Sequence, residues 1–139
     1  MQNIMSFNNN PSDSEIQDIK DELKLFNDRI VGDDNHRQIN IIVKNDRDEI
    51  IGGLISGTYW EWLYIDRFWV HENYRNQGIG KSVLKLAEDE AKNRGCNNVH
   101  LDTHDFPAVN FYKKQGYIIR CELSNLPKGH TKYLMTKEL

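Results

Sequence analysis

The stretch Ile65-Asp66-Arg67-Phe68-Trp69-Val70-His71-Glu72-Asn73-Tyr74-Arg75-Asn76-Gln77-Gly78-Ile79-Gly80-Lys81 decides the fold. It starts as an apolar, β-rich run, turns at His71-Glu72-Asn73, and ends on two glycines one residue apart. A helical pattern follows at once: Ile79, Val83, Leu84, Leu86, Ala87 and Ala91 make an apolar stripe, Arg94 falls in the last turn, and Gly95 suits the C′ position. A glycine-rich turn between a strand and a helix start leaves backbone N–H groups unpaired at the positive end of the helix dipole. Such a place suits a phosphate or pyrophosphate. Gly78 and Gly80 present no side chain to block the approach, and Arg75 and Lys81 add positive charge beside it. The plain alternative is an ordinary loop whose glycines only permit a tight turn.

Two familiar phosphate motifs fail at a required position. Gly80-Lys81-Ser82 resembles the tail of GxxxxGK[ST], but that motif needs glycine where Arg75 stands. A GxGxxG fingerprint needs a third glycine where Val83 stands.

Upstream, Asn8–Ser14 reads as a turn with N-cap candidates, preceded by Ile4, Met5 and Phe7 as a short strand or loose arm. Ile16, Ile19, Leu23, Phe26 and Ile30 then recur at helical spacing, which predicts an amphipathic helix over 14–31, stopped by Gly32. Three β-rich runs follow, Ile39–Val43, Ile50–Tyr59 and Trp60–Val70, as in an antiparallel meander. Downstream of the central helix come a strand at Val99–Thr103, a short helix at Pro107–Gln115, and strands at Tyr117–Leu123 and Thr131–Thr136. The order implies an α/β sheet with a strand-to-helix crossover in its middle.

The chain has 139 residues, which predicts one domain over 1–139 with room for a core and a cleft. A net charge of −3 speaks against nucleic acid as partner. The sequence has no run of 18 apolar residues and no leader-like start, so it predicts a cytoplasmic protein with no membrane partner. Cys96 and Cys121 form no CxxC pair and read as idle thiols in a reducing compartment. His100 and His104 have a metal-pair spacing only on a helix; on a strand they lie roughly 13 Å apart, so no metal is expected.

The six residues Arg75-Asn76-Gln77-Gly78-Ile79-Gly80 match [RQ]-x-x-G-x-[GA], and about 30 residues on stands Phe111-Tyr112-Lys113-Lys114-Gln115-Gly116-Tyr117. In this strand–loop–helix context the pair resembles the coenzyme A signature and the second signature of the GNAT acetyltransferase superfamily. The resemblance covers residues 38–123 well. It implies a single GNAT-like domain: a central, mixed, mostly antiparallel twisted sheet of 6–7 strands, flanked by helices and splayed to admit acetyl-CoA as co-substrate. It also implies transfer of an acetyl group to a primary amine, in first place that of a small molecule. A protein lysine or N-terminus is the other acceptor class, and a non-catalytic acetyl-CoA-binding module the other kind of protein. Homodimers are common in the superfamily.

Position by position, the resemblance implies that backbone groups of Gln77, Gly78, Ile79, Gly80 and Lys81 bind the pyrophosphate, with Arg75 opening the signature. Phe68 and Val70 would pair through their backbone with the pantetheine arm, in a gap between residues 65–70 and 99–103. Tyr112 would donate a proton to the leaving thiolate. Many family members have Asn at the position of Asp105, touching pantetheine. An aspartate accepts there but cannot donate; its alternative role is to cap the helix before Pro107.

Chemistry adds one demand. A lysine-like amine has a pKa near 10.4, so holding it neutral at pH 7 costs roughly 4–5 kcal/mol, and a general base is expected. Asp66 is the first choice, with Glu61, His71 and His104 behind it. A backbone N–H near Val70 would meet the oxyanion, a contribution of about 3 kcal/mol per donor. The aromatic run at Tyr59, Trp60, Trp62 and Tyr64 serves either strand packing or cation–π contact with an amine.

Overall fold

The computed structural model describes residues 2–104 and 106–139. It divides into two compact units, residues 1–34 and 35–139. The first carries helix α1 (Asp13–Val31), and its ends are fixed by local chemistry. The Ser12 side chain accepts from the Glu15 N–H while the Glu15 carboxylate accepts from the Ser12 N–H, a reciprocal capping box. Gly32, at φ 81°, closes the other end. Residues 4–7, read from sequence as a strand or an arm, form no strand.

The second unit is built on six strands: β1 (Arg37–Lys44), β2 (Ile50–Tyr59), β3 (Trp62–Val70), β4 (Asn98–Thr103), β5 (Ile118–Ser124) and β6 (Thr131–Glu138). Helices α2 (Ile79–Asn93) and α3 (Phe106–Lys114) connect β3 to β4 and β4 to β5. The sheet order is β1-β2-β3-β4-β6-β5. Every pairing is antiparallel except β3 with β4, which the α2 crossover makes parallel. The mixed, mostly antiparallel sheet expected from the sequence is present, with six strands.

The helix stripe and the strand alternation meet in one core. Leu54, Leu63, Ile65, Val99, Leu101 and Met135 from the sheet pack with Val83, Leu84, Ala87 and Ala91 of α2 and with Val109 and Tyr112 of α3. Leu63 has no exposed surface. Leu63→Ala is expected to destabilise the fold by about 2–5 kcal/mol in a urea titration; a change below about 0.5 kcal/mol, within the range of an exposed site, would contradict this packing.

Polar groups set the position of α2. Arg94, at its C-terminal cap, donates to the carbonyls of Arg37 and Gln38 (both 3.1 Å) and pairs with Glu90 at 2.9 Å, tying the helix end to β1. Glu88 is buried on the same helix, where it pairs with Lys137 of β6 at 2.9 Å and accepts from the Tyr117 hydroxyl at 3.2 Å. A buried carboxylate needs such partners to offset its lost hydration.

Candidate active site

Strand β3 runs beside β4 for only part of its length. Their register covers Trp62–Ile65 against Asn98–Leu101 and stops there, although β3 continues to Val70 and β4 to Thr103. From Asp66 onward the edge of β3 that faced β4 has no strand partner, so the two part into a gap. A cause is visible on the other side of β3: Ile55 opposes Arg67 and Ser56 opposes Ile65, which leaves Asp66 as the extra residue of a β-bulge. Bulges bend a strand, increase its twist and re-aim side chains. This one falls where β3 leaves β4.

The bulge also resets which face each side chain takes. Leu63 and Ile65 are buried, and after the extra residue Phe68 joins the same core. Phe68 lies edge-on to Phe111 (6.0 Å between ring centroids) and to Tyr112 (6.4 Å), so these rings form an apolar wall beside the gap. Tyr112 also meets Tyr117 edge-on at 5.5 Å. Burial pushes the Tyr112 phenol up to about 12, so it stays protonated through the neutral range. Among the described residues no partner hydrogen-bonds its hydroxyl, and no fully buried side-chain polar atom lacks a partner. The hydroxyl therefore opens to solvent.

At the end of β3 a 3-10 turn (Glu72–Tyr74) leads into the glycine loop. Asn76 and Gly78 take positive φ, 61° and 80°, which wrap the chain back to start α2. Gly78 is the N-cap residue, without a side-chain cap. Among the described residues no acceptor takes the N–H groups of Gln77, Gly78, Ile79, Gly80 or Lys81. A Cβ at Gly78 would have no atom within 4 Å, so the space beside this residue is open next to the free donors. They can hold an anion such as a pyrophosphate. The two glycines differ in purpose. A Cβ at Gly80 would lie 3.4 Å from Phe111, so this glycine lets the helix start seat on the apolar wall.

Arg75 lies differently from the simple picture of a charge beside the phosphate: its Nε donates to the Val70 carbonyl at 2.9 Å and straps the loop to the strand end. Lys81 is exposed in the first turn of α2. Asp105 lies outside the described residues.

The proposed bases separate in space. Asp66 is at the parting of the strands, half-exposed and paired with Arg67 at 3.3 Å. Glu61 is at the opposite end of β3, bonded to Asn97 at 3.0 Å. His71 uses Nδ1 to accept from the Asn73 N–H at 3.1 Å and caps the 3-10 turn. His104 is exposed beyond the end of β4. The aromatic run divides as well: Tyr59 stacks on His36 at 4.2 Å, whereas Trp62 and Tyr64 pack on His100. That last contact is not legible in the sequence, because it comes from the parallel register of two strands 36 residues apart (Tyr64 opposite His100). The available signal is polar alternation, Tyr64 and Asp66 on one strand and His100 and Asp102 on the other. Cys96 and Cys121 are free thiols, the first buried.

A parted β3–β4 pair ending in a loop of free N–H groups defines an open, mixed α/β sheet protein whose helix start can hold an anion. The profile of the acetyltransferase (GNAT) family matches residues 4–117, and the chain belongs to that family. It is similar to acetyltransferase Atu2258 of Agrobacterium fabrum, 34% identical over 81% of this chain and 82% of the relative. It is also similar to the blasticidin-S acetyltransferase of Streptomyces morookaense, at 36% over 68% of this chain and 70% of the relative. Among solved structures, an acetyltransferase of Bacillus cereus superposes with a TM-score of 0.85 at 32% identity, covering 96% of this chain and 98% of its own. Among the described residues no helix is long and apolar enough to cross a membrane.

Proposed function

We propose that this protein is an N-acetyltransferase that carries an acetyl group from acetyl-CoA to a primary amine of a small molecule, by direct attack in a ternary complex. The carrying observation is the gap beyond Ile65 and Leu101, which ends on the free N–H groups of Gln77–Lys81. The similarity to a blasticidin-S acetyltransferase favours a small-molecule acceptor. Two free cysteines fit a reducing, cytoplasmic setting.

In this reading the backbone edge of β3 at Phe68 and the N–H of Val70, whose carbonyl Arg75 holds, meet the pantetheine arm, and the pyrophosphate sits on the N–H cradle. The neutral amine attacks the thioester carbonyl, and the oxyanion accepts a hydrogen bond from a backbone N–H near Val70. Tyr112 then gives its proton to the departing thiolate. Its raised pKa keeps that proton in place until the leaving group needs it. Asp66, half-exposed at the parting of the strands, is the carboxylate that meets the incoming ammonium, which gives up its first proton to water before the neutral amine attacks.

A thermal-shift titration of the purified protein with acetyl-CoA, CoA and ATP in parallel tests the binding half. At about 100 times its dissociation constant a ligand adds roughly 2.7 kcal/mol of stability. A rise in Tm with both coenzyme A ligands and none with ATP is the expected result. A rise with ATP alone would remove the assignment. Release of free thiol over a panel of small amines then tests turnover.

A further inference from the structure

We infer that His100 takes the proton from the attacking amine, directly or across one water, at the point where β3 and β4 part. The inference rests on the proposed acetyl transfer and supplies its missing base. His100 is opposite Tyr64, in the second-last register pair before the gap. Its ring stacks on Tyr64 at 4.7 Å and 24°, and Trp62 meets it edge-on at 5.6 Å. Two rings thus fix the imidazole plane at the closed end of the gap, while part of it stays exposed. Neighbouring Val99 and Leu101 point into the core, which puts His100 on the sheet face opposite to them.

The electrostatics leave this imidazole free to accept a proton. Burial pulls its pKa below the ordinary 6.5, and Asp102 pushes weakly the other way, so the ring is neutral at pH 7. Asp102 does not hold it as imidazolium, because Lys132 pairs with Asp102 at 3.2 Å. Further charged and titratable groups on this face are Tyr64, Asp66 and Arg67 of β3, Glu138 of β6 (opposite Asn98), Tyr59 of β2 (opposite Trp62) with His36 stacked on it, and Arg120 of β5. Asp66 and Arg67 pair with each other. Arg120 donates to Thr136, the cross-strand neighbour of His100, at 2.8 Å. Burial raises the phenol pKa of Tyr64, and the charges of Asp102 and Asp66 raise it further. The remaining bases suggested by sequence are less suited: Glu61 is at the far end of β3, His71 has its Nδ1 engaged, and His104 is exposed beyond the end of β4.

The protons balance as follows. The amine nitrogen attacks the carbonyl carbon, and the C=O π electrons move to oxygen. The new C–N bond makes that nitrogen an ammonium, whose proton passes to a ring nitrogen of His100. The oxyanion collapses, the C–S bond breaks with its electron pair on sulfur, and sulfur takes the Tyr112 proton. His100 then loses its proton to water and Tyr112 regains one, so an amide and a free thiol leave with the enzyme restored.

The test is the pH dependence of thiol release from acetyl-CoA, with and without n-propylamine, because water attack on the thioester also needs a proton acceptor. Without amine, the wild-type rate should fall at low pH with a midpoint below 6.5; with n-propylamine the neutral-amine fraction adds its own rise toward high pH. His100→Gln should lower kcat at pH 7 by about 10²-fold and flatten that acid limb, with KM for acetyl-CoA unchanged. Added imidazole should restore part of the rate to His100→Ala. An acid limb that survives His100→Gln and disappears in Asp66→Asn would overturn the inference. So would an NMR titration showing His100 still protonated at about pH 7.5 in the acetyl-CoA complex. Failure of the acetyl-transfer reading looks different: there the wild-type protein gains no Tm with acetyl-CoA.

Discussion

Tyr112→Phe is expected to lower kcat by about 10²-fold or more while KM for acetyl-CoA stays within about twofold. The ring of Tyr112 is built into the core, edge-on to Phe68, Phe111 and Tyr117, and phenylalanine keeps all of those contacts. The change removes only the hydroxyl, which opens to solvent and has no partner among the described residues. No buried donor is orphaned, so stability should shift little. Because the phenol pKa stands at about 12, Tyr112 should impose no basic limb on the rate below about pH 11. Stopped-flow thiol release and a urea titration on the same preparation separate the two effects. Full turnover in the variant would end the acid assignment; a loss of rate matched by a large loss of stability would mean the hydroxyl holds the fold instead.

Gly78→Val should weaken acetyl-CoA binding by about tenfold or more, at least about 1.4 kcal/mol. The expected loss has two sources. At φ 80° a β-branched residue is strained by roughly 1–2 kcal/mol. Its side chain would also enter open space within the loop that carries the free N–H groups of Gln77–Lys81. Gly95 provides the control: it has φ 87° and equally open surroundings, but ends α2 instead of starting it. Gly95→Val should carry a similar stability cost and leave the calorimetric affinity for acetyl-CoA unchanged. Equal affinities in the two variants would show that the loop is an ordinary turn and holds no phosphate.

Much of the site is legible in the amino-acid sequence. The spacing of Arg75, Gly78 and Gly80 locates the glycine loop with its free N–H groups, since positive φ and free donors at a helix start are properties of a few consecutive residues. The Phe111–Tyr117 segment likewise announces a short helix closed by Gly116, and Tyr112 is buried beside the gap. The purpose of individual residues is less visible. Gly80 serves packing against Phe111, and the Arg75 guanidinium straps Val70. Both depend on what a distant segment brings near.

The contrast between Asp66 and His100 shows where the sequence stops. By simple alternation Tyr64, Asp66 and Phe68 would share one face of β3. The bulge at Asp66 breaks that parity, sends Phe68 into the core, and bends the strand away from β4. A bulge depends on how two strands pair, and nothing within the nine residues of β3 forces it. The sequence alone determined the helices, the strands, the crossover and the glycine loop that opens α2, because hydrophobic period, caps and glycine dihedrals are local. Only the tertiary structure decided that β3 and β4 run parallel for four residues and then part, and that His100 lies against Tyr64 beside that opening. Register and splay come from packing between residues far apart in the chain, and local energetics cannot set them.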